Sequence, residues 1–449
     1  MSFPTPLPIA GLIVSSLAAM AIVLPVLGLV VAMMPHVIAA LIALFRRDTP
    51  FVSHRVEVLT RGLAVVCMSA SLLAFVAIQP RFFRPAWGAV PAQAETGDAA
   101  LRAMIAPHVK ALIDSLPCAG IVVGVVQPTG NQVFGFGRRS VSSDVVPNGD
   151  TVFEIGGMTQ VFTGSLLARM AEKNVVRMDQ PVQSLLPDSV SVPMREGRQI
   201  ELQHLATGSS GLPRLSRSAA LPVLDLIPPF SRARPPRSAK WLYDLLSSSE
   251  IAYAPGTHMD GSDLGMALLG HALERASKTD YETLLQREIC GPLGLKDTRV
   301  ELTGPMRGRL ATGMRMGWGS YRGWYVASPT HRWPQKAMPA ATDLCSTAND
   351  LLTLVRAHLA GFPLASALGE TRRSRLLVQG QPDLGLGWFI EWTQGGEPIV
   401  WQHGAGGACR SYMAFLEGRD VGVVVLANSP IDVDLLGKKV LNRLLAPGA

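Results

Sequence analysis

From Pro8 to Phe45 no residue carries a formal charge, and a run of that length constrains the chain more than any other feature in it. A helix crossing about 30 Å of hydrocarbon needs about 20 residues. The run therefore holds either two short helices or one long tilted helix with a re-entrant turn, with Pro25, Gly28 and Pro35 as breakpoints. A second apolar run, Gly62 to Ile78, is long enough to span once. Between them Arg46, Arg47, Arg55 and Arg61 stand against Asp48 and Glu57, and the positive-inside bias makes that loop cytoplasmic. The expectation is a transmembrane segment of two or three helices over residues 1–79 in the cell (inner) membrane, with everything after it carried to the periplasmic side. A cleaved signal peptide ending at Ala94 fits less well, because that small-residue site lies well beyond the apolar run. Residues 80–99, with Phe82, Phe83 and Trp87 at interfacial depth, read as a linker, and residues 100–449 as one large domain.

Composition narrows the function. With 48% hydrophobic residues the chain has ample material for a core. The net charge of +7 comes from an arginine-rich set with only eight lysines and no basic stripe interleaved with aromatics, so nucleic acid is not an expected partner. Five widely spaced cysteines without C-x-x-C indicate neither a zinc ribbon nor a disulfide framework. The nine histidines form no H-x-x-H, H-x-x-x-H or H-E-x-x-H, and the proximity of His258 and Asp260 reads as loop polarity. No metal or other cofactor is expected.

The large domain opens with LRAMIAPHVKALIDSL at helical spacing, then GIVVGVVQP and NQVFGFG as a hairpin around Pro-Thr-Gly. At its far end WQHG, SYMAFLEG and GVVVLAN read as strands, followed by the amphipathic helix DLLGKKVLNRLL. The fold class expected is α/β plus all-α: an antiparallel sheet built from both ends of the domain, with flanking helices and a helical middle subdomain. Two loops interrupt the middle, an Arg- and Pro-rich one at 213–238 and a Trp-, Tyr-, Gly- and Arg-rich one at 314–334.

A family likeness is carried by FEIGGMTQVFTGSLLARMAEKNVVRMDQPVQSLLP, IELQHLATGSSGLP, YAPGTHMDGSDLGMALLGHALERAS, LCSTANDLLTL, LGLGWFI, and QHGAGG with SYMAF and GVVVLAN, in that order. Together they resemble the serine β-lactamase-like family of class C β-lactamases, DD-peptidases and related esterases. The resemblance implies acyl transfer through a Ser nucleophile in S-x-x-K at the start of a helix, a Y-x-N element whose Tyr moves protons, and K-T-G or H-x-G on a strand lining the cleft.

The chemistry-bearing positions depart from that pattern. Phe153, Ile155 and Gly156 match the lead-in, yet the Ser position is Gly157 and the Lys position Gln160. No S-x-x-K occurs anywhere in the chain. Pro255 to Thr257 and Leu268 to Gly270 align the second element, with Gly261 at the Tyr position and Asp263 at the Asn position. In the third, His403 is read as the motif histidine and Ala405 stands for its small glycine. The family's T-H-T-S-G segment reads Thr207 to Gly211 without its histidine. The backbone N–H of Gly157, joined by one near Gly406, could still form an oxyanion-type pocket.

Thr159, Ser262 and Cys409 are the neighbouring residues from which a replacement nucleophile would come. Thr159 should turn away from the cleft and serve packing, Cys409 reads as a structural thiol, and Ser262 with Asp263 and His403 would be the one conceivable triad. The leading expectation is a membrane-anchored, catalytically inactive extracytoplasmic protein that binds a peptidoglycan-like or other envelope ligand or a partner protein. The alternatives are a divergent esterase, peptidase or β-lactam hydrolase with a nonstandard site, and a membrane segment that itself docks a membrane protein partner.

Overall fold

The run Gly120–Gln127 has no polar side chain before its last residue, so as a strand it requires cover on both faces. The computed structural model supplies it. Residues 95–446 are described, apart from 97, 116–118, 141–142, 215–237, 316–327, 330–338, 378–379 and 407–408. The expected transmembrane segment, most of the linker and most of both long loops therefore lie outside the described residues; of the second loop, Met314–Arg315 pairs with Ser328–Pro329. Among the described residues no single helix is long and apolar enough to cross a membrane.

Among the described residues the main sheet has eight strands: β1 Glu95–Thr96, β2 Gly120–Gln127, β3 Gly130–Gly137, β4 Asp383–Leu384, β5 Phe389–Trp392, β6 Pro398–Gly406, β7 Cys409–Leu416 and β8 Val421–Ala427. Their order is β1-β3-β2-β8-β7-β6-β5-β4, every pair antiparallel. The N-terminal hairpin and the C-terminal strands thus meet at β2 and β8, as the two ends of the sequence suggested. Asn428 clasps this seam: its Oδ1 accepts from Gly120 N–H at 2.7 Å, and its Nδ2 donates to the carbonyls of Arg138 and Arg139, each at 3.1 Å.

Helices α1 (Ala99–Ser115) and α5 (Val433–Leu445) cover one face, with Asp432 capping α5. On the other face runs α4 (Ala348–Ala360), capped by Thr347. It packs so tightly that a Cβ on Gly124 would stand 2.9 Å from Leu352 and one on Gly422 2.5 Å from Val355. Beyond α4 lies the helical middle, centred on α2 (Thr159–Glu172) and α3 (Asp263–Ser277). Thr163 on α2 donates to the Ala340 carbonyl at 2.7 Å and meets the Tyr281 hydroxyl at 2.7 Å, tying three segments of the middle together.

Candidate functional site

Phe153–Glu154 pairs with Cys345–Ser346, and Ile155 N–H bonds the Leu344 carbonyl at 3.0 Å. The chain then turns through Gly156 at φ +53° into a short 3-10 turn, Gly156–Met158, that runs straight into α2. Gly156 is required there twice over, by its left-handed backbone and because a Cβ would stand 2.5 Å from the Ala405 carbonyl carbon. From Ile155 to Ala168 every residue is buried except Gly157 and Gln160. Those two lie three apart on one partly exposed flank of the helix start, so the positions that the resemblance aligns with the nucleophile and the amine face one opening.

The LGLGW segment wraps that helix start. A Cβ on Gly164 would meet the Leu386 carbonyl at 2.2 Å and one on Gly387 the Gln160 carbonyl at 2.4 Å. Gly387 N–H in turn bonds the Ala206 carbonyl at 3.0 Å. Next along that wall, Gly208 at φ +66° approaches Gly261, whose Cα is 3.2 Å from where a Gly208 Cβ would lie. The opening is thus framed by the start of α2, the 384–388 segment, the 207–211 turn and the start of α3.

The edge of β6 forms the remaining side, and here the sequence reading requires correction. His403 does not face the opening. Its Nδ1 lies 2.5 Å from Asp434 Oδ2 on α5, with its ring edge-on to Trp401 and Phe389. Side chains alternate along a strand, so Ala405 also points its Cβ to the α5 side, while Gln402 and Gly404 turn to the site. Gly404 is the close-contact glycine: a Cβ there would stand 1.9 Å from the Ile155 carbonyl oxygen. The third motif therefore reads Gln402–His403–Gly404, with an amide where the cation or imidazole was expected. Gln402 is buried and fully engaged, donating from Nε2 to the Gly387 carbonyl at 2.7 Å and accepting from His403 N–H at 2.9 Å.

That last bond also sets the backbone. With His403 N–H turned away from β7, the ladder alternation turns Ala405 N–H to the same open edge. The His403 carbonyl oxygen lies there too, 3.3 Å from where a Gly157 Cβ would sit. The edge donor that would join Gly157 N–H in a carbonyl-binding pocket is thus Ala405, rather than Gly406.

The proposed triad does not assemble. Ser262 caps α3: its hydroxyl donates to the Pro213 carbonyl at 2.8 Å and accepts from Gly265 N–H at 3.1 Å, and the residue is buried. Asp263 begins α3, while His403 is committed to Asp434. Thr159 is fully buried and accepts from Leu344 N–H at 3.2 Å, a packing role as expected. Burial pushes the Cys409 thiol well up, which makes it a poor nucleophile. At the rim, Asp260 pairs with Arg214 at 2.5 Å and His258 with Thr257 at 2.9 Å. Burial, then the Asp260 charge, push the neighbouring Tyr253 phenol up. Among the described residues no group of three or more His, Cys, Asp or Glu could hold a metal ion.

What distinguishes Gly157 and Gly261 is space. A Cβ on Gly157 meets only the His403 carbonyl oxygen at 3.3 Å and the Gly404 Cα at 3.7 Å, and one on Gly261 meets nothing within 4 Å. Neither has a positive φ. Glycine at 156, 164, 387 and 404 is demanded by the packing, whereas glycine at 157 and 261 is not.

Comparison with known proteins agrees with this architecture. The D-alanyl-D-alanine-carboxypeptidase/endopeptidase AmpH of Escherichia coli (strain K12) is 29% identical over 322 residues, covering 67% of this chain and 78% of that protein. A beta-lactamase of the same organism is 23% identical over 371 residues, covering 74% and 91%. Among solved structures, a beta-lactamase/D-alanine carboxypeptidase from Yersinia pestis superposes with a TM-score of 0.63 at 23% identity, covering 78% of this chain and 100% of that one. The octameric penicillin-binding protein homologue from Pyrococcus abyssi gives 0.67 at 20% identity, covering 76% and 77%. At these identities the structural likeness establishes the fold. The Beta-lactamase family model matches residues 105–446, and with the fold and the ordered motifs it identifies this chain as a member of the β-lactamase family.

Proposed function

We propose that this protein is a membrane-anchored, extracytoplasmic member of the family whose cleft no longer carries out acyl transfer and serves to bind. Its ligand is an acyl-peptide end of the cell envelope or a partner protein that presents such a group. The carrying observation is the contrast among the glycines around the cleft: at 156, 164, 387 and 404 a Cβ would be crowded, whereas Gly157 and Gly261 have room for a side chain and carry none. Gln160 and Gln402 put amides where the mechanism needs proton-transferring cations; Gln402 is spent on Gly387 and His403, so the cleft keeps the Gln160 amide to bind a ligand and lacks a nucleophile with a base. The name of the Escherichia coli relative, a D-alanyl-D-alanine-carboxypeptidase/endopeptidase, supports a peptidoglycan-like ligand class. The uncharged run from Pro8 to Phe45 and the arginine-bearing loop after it support the anchor and its orientation.

The experiment is intact-mass measurement of the full chain after incubation with a penicillin, beside the variant carrying Gly157→Ser, Gln160→Lys and Gly261→Tyr, with adducts located by peptide mapping. An adduct confined to the variant, at position 157, is expected. A stoichiometric penicillin adduct within the cleft of the native protein overturns the reading and names the replacement nucleophile.

A further inference from the structure

Away from the cleft, the helix Ala239–Ser248 lies beside α3, and three side chains between them form a continuous relay. The Tyr243 hydroxyl is 2.6 Å from His271 Nε2, and His271 Nδ1 is 3.1 Å from Glu274 Oε2. A carboxylate can only accept, so Nδ1 carries the proton and donates to Glu274, which leaves the Nε2 lone pair facing the phenol. The other Glu274 oxygen accepts from Tyr281 N–H at 2.8 Å, so the carboxylate is itself held in place. The Tyr243 and His271 rings are edge-to-face at 5.3 Å.

These are the parts of an activated hydroxyl: a nucleophile on a base, and the base oriented by an acid. They are reachable, with His271 and Glu274 side chains 19% and 28% exposed. Among the described residues the other phenols differ, and burial pushes the Tyr253 hydroxyl up. Tyr281 is buried against Thr163 and its hydroxyl is pushed well up by burial. Tyr412 is buried too, its hydroxyl pushed up, and it packs on α5. Among the described residues Tyr243 is the tyrosine whose oxygen meets an imidazole. The relay is also remote from Gly157 and Gly261: His271 is eight residues along α3 from Asp263, about 12 Å at helical rise.

We propose that Tyr243, His271 and Glu274 form a second, acyl-accepting centre, in which the Tyr243 oxygen takes an acyl group from a small activated ester or acyl azole. The phenol oxygen attacks the carbonyl carbon, the bond to the leaving group breaks, and the phenol proton passes to His271 Nε2 and from there to the leaving group. Glu274 stabilises the imidazolium between those transfers. This centre shares no residue with the cleft, so it stands whether or not the cleft is inert.

N-acetylimidazole is the probe. The full chain is treated at neutral pH, and O-acetylation of each tyrosine is followed over time by peptide mass spectrometry. Acetylation of Tyr243 is expected to be about 100-fold faster than in the same chain unfolded in urea, in the range a positioned general base supplies. His271→Ala should abolish that advantage and Glu274→Gln reduce it by about tenfold. Glu274→Gln keeps an acceptor for Tyr281 N–H and so tests the relay even where His271→Ala does not fold. Acetylation of Tyr243 no faster than in the unfolded chain, or unchanged by Glu274→Gln, overturns the proposal and leaves the relay a tie between two helices.

Discussion

His403 and Asp434 are joined on the side of the sheet away from Gly157: Nδ1 and Oδ2 are 2.5 Å apart, on β6 and α5. Both side chains are substantially exposed, at 51% and 37%, and exposed pairs contribute little. His403→Ala should therefore cost no more than about 1 kcal/mol in urea unfolding and leave any ligand of the cleft bound with unchanged affinity. A ligand lost with the imidazole would return His403 to the site.

Gly404 and Gly157 should separate under the same substitution. A Cβ at 404 meets the Ile155 carbonyl at 1.9 Å and Met158 N at 2.9 Å, both backbone, whereas at 157 the nearest atom is 3.3 Å away. Gly404→Ala is expected to lower stability by about 2–3 kcal/mol, the upper range for overpacking, and Gly157→Ala to change it by less than about 1 kcal/mol. Denaturant midpoints of the two variants check this ordering.

Gln402 bridges β6 to the segment that wraps α2. Gln402→Ala leaves the Gly387 carbonyl and His403 N–H without this partner, at a cost of about 1–3 kcal/mol. Faster amide hydrogen exchange at Gly387 and His403 is expected, with exchange in β2 and β3 unaltered. Uniform exchange across the sheet would contradict the local role.

Burial of His358 should make the domain acid-sensitive. It is fully buried between Trp388 and Phe415, with ring centroids 5.2 and 5.1 Å away. Burial first, and then the Arg372 charge, push its pKa down to about 3. The unfolded chain therefore binds this proton below about pH 6.5 while the folded one does not until about 3. The stability contributed by neutral His358 is present above the unfolded value and is lost as pH falls through that window. Urea midpoints measured from pH 7 to pH 4 should decline, and His358→Phe should flatten the decline.

The elements that the sequence disclosed share one trait: their pattern is local. GIVVGVVQ, the hairpin after it and the closing amphipathic helix carry their periodicity within a few residues, and each forms where expected. Gly157, Gln160 and Gly261 were legible because flanking motifs fix their positions. The third motif was not, because QHGAGG offers glycines in more than one register, and a slip of one residue exchanges the two faces of a strand. Only the pairing of Gly404 with Ser411, and the Ser411 hydroxyl on the Ile155 carbonyl at 2.8 Å, decide it. Tyr243 and His271 escaped notice for a different reason. They are 28 residues apart, and only helix packing brings them together.

The clasp at Asn428 bears on how the protein is made. Its partner Gly120 lies 308 residues earlier, so β8 is made long after the hairpin it completes. Until it arrives, the β2–β3 hairpin presents the β2 edge of a strand apolar on both faces, with nothing to pair it. The sheet therefore cannot close before β8 has been made, a long-range pairing of the kind that folds slowly. A chain truncated before Val421 would leave that edge unpaired, so the loss of β8 should compromise the whole sheet rather than its margin alone.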